Sequence, residues 1–209
     1  MTEHTNGGAS AAPKVDRDAA LVERLRRAES GATEALLTAY GDRVYRLAIR
    51  ITGNEQDAEE VVQDALWTAA RKIETFKGES AFGSWLYRIA ANAAYQKLRR
   101  RQGQRNEISL EGLGPLFDEQ GQHVEPVGDW SAKAAEPALQ AELRSVLASA
   151  VSELPDEYRT AFVLHDVEGL SNPEIAETLH ISLPAVKSRI HRSRLFLRQR
   201  LSEYLTAAA

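Results

Sequence analysis

Between Gly103 and Pro137 the chain loses every signature of a regular element, and that break constrains the fold more than any other feature. The stretch holds five glycines, three prolines and seven acids against two bases, Arg105 and Lys133, for a local charge of about −5 and no apolar periodicity. On either side, apolar residues recur at three- and four-residue spacing and nowhere alternate as strand residues do. The pattern predicts an all-α protein of two small helical domains, 16–102 and 138–206, joined by a flexible acidic linker over 103–137. Residues 1–14 are small and polar and predict a disordered tail.

Composition narrows the chemistry. There is no cysteine, which excludes disulfides, cysteine-ligated zinc, iron–sulfur clusters and thiol catalysis. His165, His180 and His191 have no second ligand pair at helical spacing, and neither a nucleophile motif nor a glycine-rich phosphate loop is present. No metal, cofactor or catalysis is expected. The N-terminus lacks an apolar core of the signal-peptide kind, and no run approaches a membrane span, so a soluble, cytoplasmic chain without membrane insertion is expected. The net charge of −4 argues against a uniformly basic nucleic-acid coat.

In the first half, helical spacing runs over Ala19–Ala39 and, more clearly, after Gly53-Asn54. There Ala58, Val61, Val62, Ala65, Leu66, Ala69 and Ile73 share one face. The same helix opens with Glu55, Asp57, Glu59, Glu60 and Asp64 and no base, which serves either the helix dipole or a partner. Next, Phe76, Phe82, Trp85 and Tyr87 surround Lys77, Gly78 and Gly83. A helix follows with Leu86, Ile89, Ala90 and Ala93 on one side, Arg88, Asn92, Tyr95 and Arg99 on the other, and Arg99-Arg100-Arg101 at its end. Such a surface can stack unpaired bases and hold phosphates, or its aromatics can be core.

In the second half, Tyr158, Ala161, Phe162 and Leu164 form an apolar stripe, and Glu168-Gly169-Leu170-Ser171 reads as a turn. Ser171 with Glu174 makes a capping box, and Pro173 falls in the first turn where proline is tolerated. His180-Ile181-Ser182 is a second tight turn, and Ser182 caps a helix through about Leu205. On that helix Val186, Ile190, Leu197 and Leu201 pack, while Lys187, Ser188, His191 and Arg192 face away. Between Lys187 and Arg200 stand six bases and no acid. Two helices joined by a tight turn, the second strongly basic, predict a helix-turn-helix that enters a DNA major groove.

These strings carry a resemblance. YGDRVYRLAIRITGNEQDAEEVVQDALWTAARKIETFKGESAFGSWLYRIAANAAYQKLRRR resembles region 2 of extracytoplasmic-function (ECF) sigma factors, group 4 of the sigma-70 family. LPDEYRTAFVLHDVEGLSNPEIAETLHISLPAVKSRIHRSRLFLRQRL resembles their region 4. Both stand in the family's order, with a short linker in place of region 3.

The resemblance implies a promoter-specificity factor for RNA polymerase. By similarity, the helix from Asp57 to Ile73 docks on the β′ clamp helices of core polymerase through Asp57, Glu60, Gln63 and Asp64. The loop from Phe76 to Ser84 and the helix after it would open and read the −10 element, with Phe76, Lys77, Trp85, Arg88, Asn92 and Arg99 as contacts. Lys187, Ser188 and Arg192 match the recognition positions for the −35 element, with His191 beside them, and region 4 would sit on the β flap. The acidic linker would thread toward the RNA exit path, and an anti-sigma factor is implied as regulator. Three departures stand out: Pro184-Ala185 where the family has glycine-threonine, Lys77 where arginine is common, and Asn172-Pro173 at the start of the scaffold helix. The alternative is a stand-alone, LuxR-like helix-turn-helix regulator of duplex DNA, and a structural adaptor on polymerase is a third reading. A duplex binder acting alone would gain from a basic surface or a dimerising heptad repeat, and neither is present.

Overall fold

Gly53 and Asn54 make the joint on which the first domain turns. Gly53 ends a 21-residue helix in the left-handed conformation (φ 64°), and its N–H donates to the Ile49 carbonyl. Asn54 is extended, and its side chain accepts from the Asp57 N–H at 2.9 Å. One helix is closed by a glycine cap and the next opened by an asparagine cap within two residues, which folds the two helices back on each other. The computed structural model in which this is seen describes residues 18–102 and 137–207. The predicted tail over 1–14 and the acidic stretch over 103–136 lie outside the described residues.

Four helices form the first unit: α1 (Ala19–Arg26), α2 (Ala32–Thr52), α3 (Glu55–Arg71) and α4 (Phe82–Gln102), with a 3₁₀ turn at Ile73–Thr75. The helical spacing over Ala19–Ala39 is divided between α1 and α2, because Ala28 and Gly31 take positive φ (49° and 77°) and turn the chain. Helices α2, α3 and α4 pack pairwise around Leu36, Val44, Leu47, Ile51, Val61, Leu86 and Leu98, all essentially inaccessible. Each fully buried branched side chain contributes about 1.5–3 kcal/mol. The Tyr40 hydroxyl donates to Asp18 at 2.5 Å; burial first, then that bond, holds its pKa above the ordinary tyrosine value.

The second unit comprises α5 (Pro137–Glu153), α6 (Asp156–Phe162), α7 (Asn172–Leu179) and α8 (Leu183–Ala207). After Phe162 the chain widens into a π-helical turn at Val163–Val167, closed by Glu168 N–H to Val163 carbonyl at 3.0 Å. Its own small core joins Ala150, Leu154 and Leu197 with Tyr158, Phe162 and Phe196. No strand occurs among the described residues, so the all-α reading with two helical units holds.

Helix α4 departs from its expected amphipathicity. Tyr95, placed by periodicity on the polar face, is 3% exposed, while Ile89 and Ala93 of the predicted apolar face are only partly buried. The reason is that α4 is covered twice: by α2 and α3 on one side, and by α6 and α7 on the other.

The cap at Asn54 gives the first expectation. Asn54→Ala should lower unfolding free energy by about 1 kcal/mol in a denaturant titration, and Asn54→Asp should restore most of it.

Candidate nucleic-acid interface

The helix-turn-helix is built from caps. Ser171 accepts the Glu174 N–H, and the Glu174 carboxylate accepts from the Ser171 N–H at 2.9 Å and Oγ at 2.8 Å, so the predicted capping box is present. Pro173 lies in the first turn of α7, as read from sequence. His180 closes α7 in the left-handed conformation (φ 55°), and the Ile181 N–H returns to the Ala176 carbonyl at 3.1 Å. The Ser182 hydroxyl then accepts the Ala185 N–H at 3.3 Å and starts α8, which runs undisturbed past Pro184.

On α8, Val186, Ile190 and Leu197 are buried, which turns Lys187, Ser188 and His191 outward to solvent. Arg192 is half-buried and donates to the Tyr158 hydroxyl at 3.3 Å. The remaining cations differ from a free basic stripe. Arg189 pairs with Glu157 and donates to the Tyr95 hydroxyl at 3.1 Å. Arg194 pairs with Asp166 at 2.6 Å and lies 3.2 Å from His165 Nδ1, and Arg200 pairs with Glu153 at 2.7 Å. Charge available to a phosphate therefore concentrates at the start of the helix, around Lys187.

Ahead of α4, the aromatic residues divide into core and rim. Phe76 is a correction to the sequence reading: it is 5% exposed, its ring edge-on to Phe82 at 5.5 Å, so it holds the loop in place and offers no face to a base. The Arg26 guanidinium fixes the Phe76 carbonyl at 2.7 Å. Trp85 is only partly buried, 5.4 Å from Phe76. Lys77 is exposed beside Gly78 in the left-handed region (φ 76°), Arg88 donates to Ser80 Oγ at 3.2 Å, and Arg99 is exposed.

Between α3 and α4 opens a cavity of about 280 Å³, bordered by Asp64, Thr68, Lys72, Asn92, Lys97 and Arg100 among others. Asn92 Oδ1 is buried and has no hydrogen-bond partner. Leaving a buried acceptor unpaired costs about 1–3 kcal/mol. The wall carries Lys72 and Arg100 against Asp64, a third cation, Lys97, that is paired with Glu60, and an orphaned amide oxygen, so it fits a polar guest with a hydrogen-bond donor.

The four acids and amides expected to dock a partner fall into two sets. Asp57, 7% exposed, pairs with Arg101 and lies 3.8 Å from Lys97, and Glu60 also pairs with Lys97. These two brace α3 against the end of α4. Gln63 and Asp64 face solvent. One turn further along the same surface stands Trp67, 65% exposed, a residue the sequence patterns did not single out. Its spacing of four from Gln63 was the available signal.

The comparisons bear on both halves. The Sigma-70 region 2 family matches residues 36–104, and the Sigma-70, region 4 family matches residues 144–197. The ECF RNA polymerase sigma-E factor of Haemophilus influenzae is 36% identical over 186 residues, covering 88% of this chain and 95% of that protein. The chain belongs to the extracytoplasmic-function sigma factors of the sigma-70 family. ECF RNA polymerase sigma factor SigE of Mycolicibacterium smegmatis is also 36% identical, over 178 residues, 84% of this chain and 64% of that longer protein. SigW of Bacillus subtilis is 30% identical over 87% of this chain and 95% of its own. Among solved structures, CnrH in complex with the cytosolic domain of CnrY is similar with a TM-score of 0.50 at 25% identity, over 91% of this chain and 97% of that one. In this sigma factor, region 2 thus holds the cavity and the exposed α3 surface, and region 4 holds the helix-turn-helix. No helix among the described residues is long and apolar enough to cross a membrane, and no cluster among them could hold a metal ion.

The capping box also sets a pH dependence. The Ser171 backbone bond, then its hydroxyl, holds the Glu174 carboxyl below its ordinary value of 4.5. That contribution to stability is complete above the ordinary value and is lost as pH falls through the lowered one. Relative to Glu174→Gln, the native chain should lose its stability advantage on acidification below 4.5, as read from denaturation midpoints at each pH.

Proposed function

We propose that this sigma factor docks on core RNA polymerase, reads a promoter at two separated elements, and helps melt the DNA while catalysing nothing itself, in the cytoplasm. The observation that carries the reading is the cavity between α3 and α4 with the unpartnered Asn92 oxygen at its wall. A regulator that binds only duplex DNA has no use for such a site. An unpaired base does, because extrusion from the stack costs a few kcal/mol and needs a pocket to compensate it. Asn92 meets an amino group of the base, Lys72 and Arg100 hold its backbone, and Trp85, Lys77, Arg88 and Arg99 continue the track along the −10 strand.

Region 4 takes the −35 element as duplex through Lys187, Ser188, His191 and Arg192, each good base contact contributing about 1–3 kcal/mol of discrimination. Region 2 docks on the β′ clamp helices through Gln63, Asp64 and Trp67, with Asp57 and Glu60 fixing α3 from behind. A tryptophan inside a polar rim is the composition of an interface hot spot. Region 4 rests on the β flap, and 103–137 forms the acidic linker between the two. An anti-sigma factor is the regulator: one solved relative of like fold, the sigma factor RpoE of Bartonella quintana, is bound to the anti-sigma factor NepR.

Run-off transcription with bacterial core polymerase on fragmented genomic DNA tests the whole reading. Discrete transcripts that require this protein are expected; a duplex footprint by the protein alone without transcripts would move the assignment to a stand-alone regulator. Lys187→Ala should cut promoter-specific transcription roughly tenfold with core affinity unchanged. Trp67→Ala should weaken core binding by a factor of ten or more, measured by fluorescence titration, while leaving the fold intact. Asn92→Ala should change base preference at the −10 element only.

A further inference from the structure

Helix α1 precedes the stretch matched to Sigma-70 region 2, which starts at residue 36, and contributes nothing to the cavity or to the exposed surface of α3. It buries Val22 and Leu25 and packs on α2 and on the 3₁₀ turn at Ile73–Thr75. Its last turn and cap carry three arginines. Arg24 pairs with Glu29 and Arg27 with Glu23. Arg26 instead donates to the Phe76 carbonyl, 50 residues on, at 2.7 Å. The other end of the helix shows the same preference for a distant partner. Asp18 stands at the N-cap, where an aspartate ordinarily accepts a backbone N–H of the first turn, but its side chain makes no such bond. The carboxylate accepts the Tyr40 hydroxyl at 2.5 Å.

These two contacts reach the two ends of one loop. Residues 77–81 leave Phe76 and return at Phe82, and the two rings meet edge-on at 5.5 Å to close the neck. Arg26 holds the outgoing end by its backbone. Tyr40 holds the returning end. Its ring meets Phe82 at 5.5 Å and lies so close to Gly83 that a Cβ there would come within 3.2 Å of it. Asp18 and Arg26 are eight residues apart, about 12 Å along the helix, so one rigid element fixes both ends of the loop.

We propose that α1 is a brace for the −10 loop, with Arg26 and the Asp18–Tyr40 pair as positioning residues that hold it in its base-receiving shape before any DNA arrives. The inference rests on the −10 reading above. Lys77 stands on this loop, and Trp85 lies against its neck, 5.4 Å from Phe76 and 5.7 Å from Phe82. A loop that ordered itself only on the strand would lose affinity to that ordering, and a loop fixed in advance does not. Arg26 and Tyr40 act on the strand only through the loop.

The test uses full-length native and variant chains on core polymerase, with two fork DNAs built from a promoter that run-off transcription yields. One fork carries the −10 element as a single strand, and the other stops at its upstream edge. The native holoenzyme should bind the first more tightly. Arg26→Ala should lose roughly tenfold on the first fork and nothing on the second, with core affinity unchanged. Arg26→Lys, which keeps a donor, should recover most of the loss. A native holoenzyme indifferent to the single strand speaks against the −10 reading itself. A native preference that Arg26→Ala leaves intact overturns the brace.

Hydrogen exchange in the free chain decides the same point without DNA. The Phe76 N–H donates to the Ile73 carbonyl at 3.0 Å and the Trp85 N–H to the Ala81 carbonyl at 3.2 Å, one at each end of the loop. Arg26→Ala should speed exchange at Phe76, and Tyr40→Phe, which loses a single oxygen, at Trp85, each about tenfold. The Ile175 N–H of region 4 should not change. Faster exchange throughout the chain would make these residues merely structural, and unchanged exchange at both ends of the loop would leave them without the role; either result overturns the proposal.

Discussion

Helix α4 is covered from two sides, and most of the architecture follows from how it tolerates this. A helix that carries large side chains on every face cannot be approached closely from opposite directions. Here Ala90, Ala91 and Ala94 are all fully buried, and their small volume lets neighbouring backbones approach while Leu86 and Leu98 anchor the ends. The same helix carries Asn92 at the wall of the cavity and ends in the cations that pair with α3. Moving α4 would disturb the first core, the cavity and the seam with region 4 together.

What could be read from the residues alone depended on the range of the interaction. Caps are local, and the Ser171–Glu174 box and the start of α8 at Ser182 were both legible from types and spacing. The helix-turn-helix, with Lys187, Ser188 and His191 outward, followed from period alone. Pairings across the chain were not legible. Asp57 and Glu60 read as surplus acid because Lys97 and Arg101 stand about 40 positions away. Tyr95 read as surface because periodicity assigns each helix one buried face and cannot anticipate a second domain. Phe76 stayed open between stacking platform and core, and only the resemblance put it among the −10 contacts, because an aromatic beside glycines has the same composition whether it faces solvent or the core. The π-helical turn has no compositional mark at all, yet it places Asp166 where Arg194 reaches it.

Arg159 shows how one buried charge serves two domains. Its guanidinium donates to the carbonyls of Ser152 and Leu154 at the end of α5, pairs with Asp156 at 2.6 Å, and reaches Ile51 of α2. A buried guanidinium is tolerated only when its donors are matched, and this one draws on helix ends, where carbonyls lack partners. Within region 4 it is structural. Toward region 2 it adds a directional contact to a seam that is otherwise apolar.

Joining the two regions in one chain changes the strength that seam needs. Tethered partners meet at an effective concentration on the order of millimolar, so contacts too weak to hold separate molecules together can still keep a single chain shut. In a chain assembled in this way proximity supplies part of what a tight bond would otherwise have to.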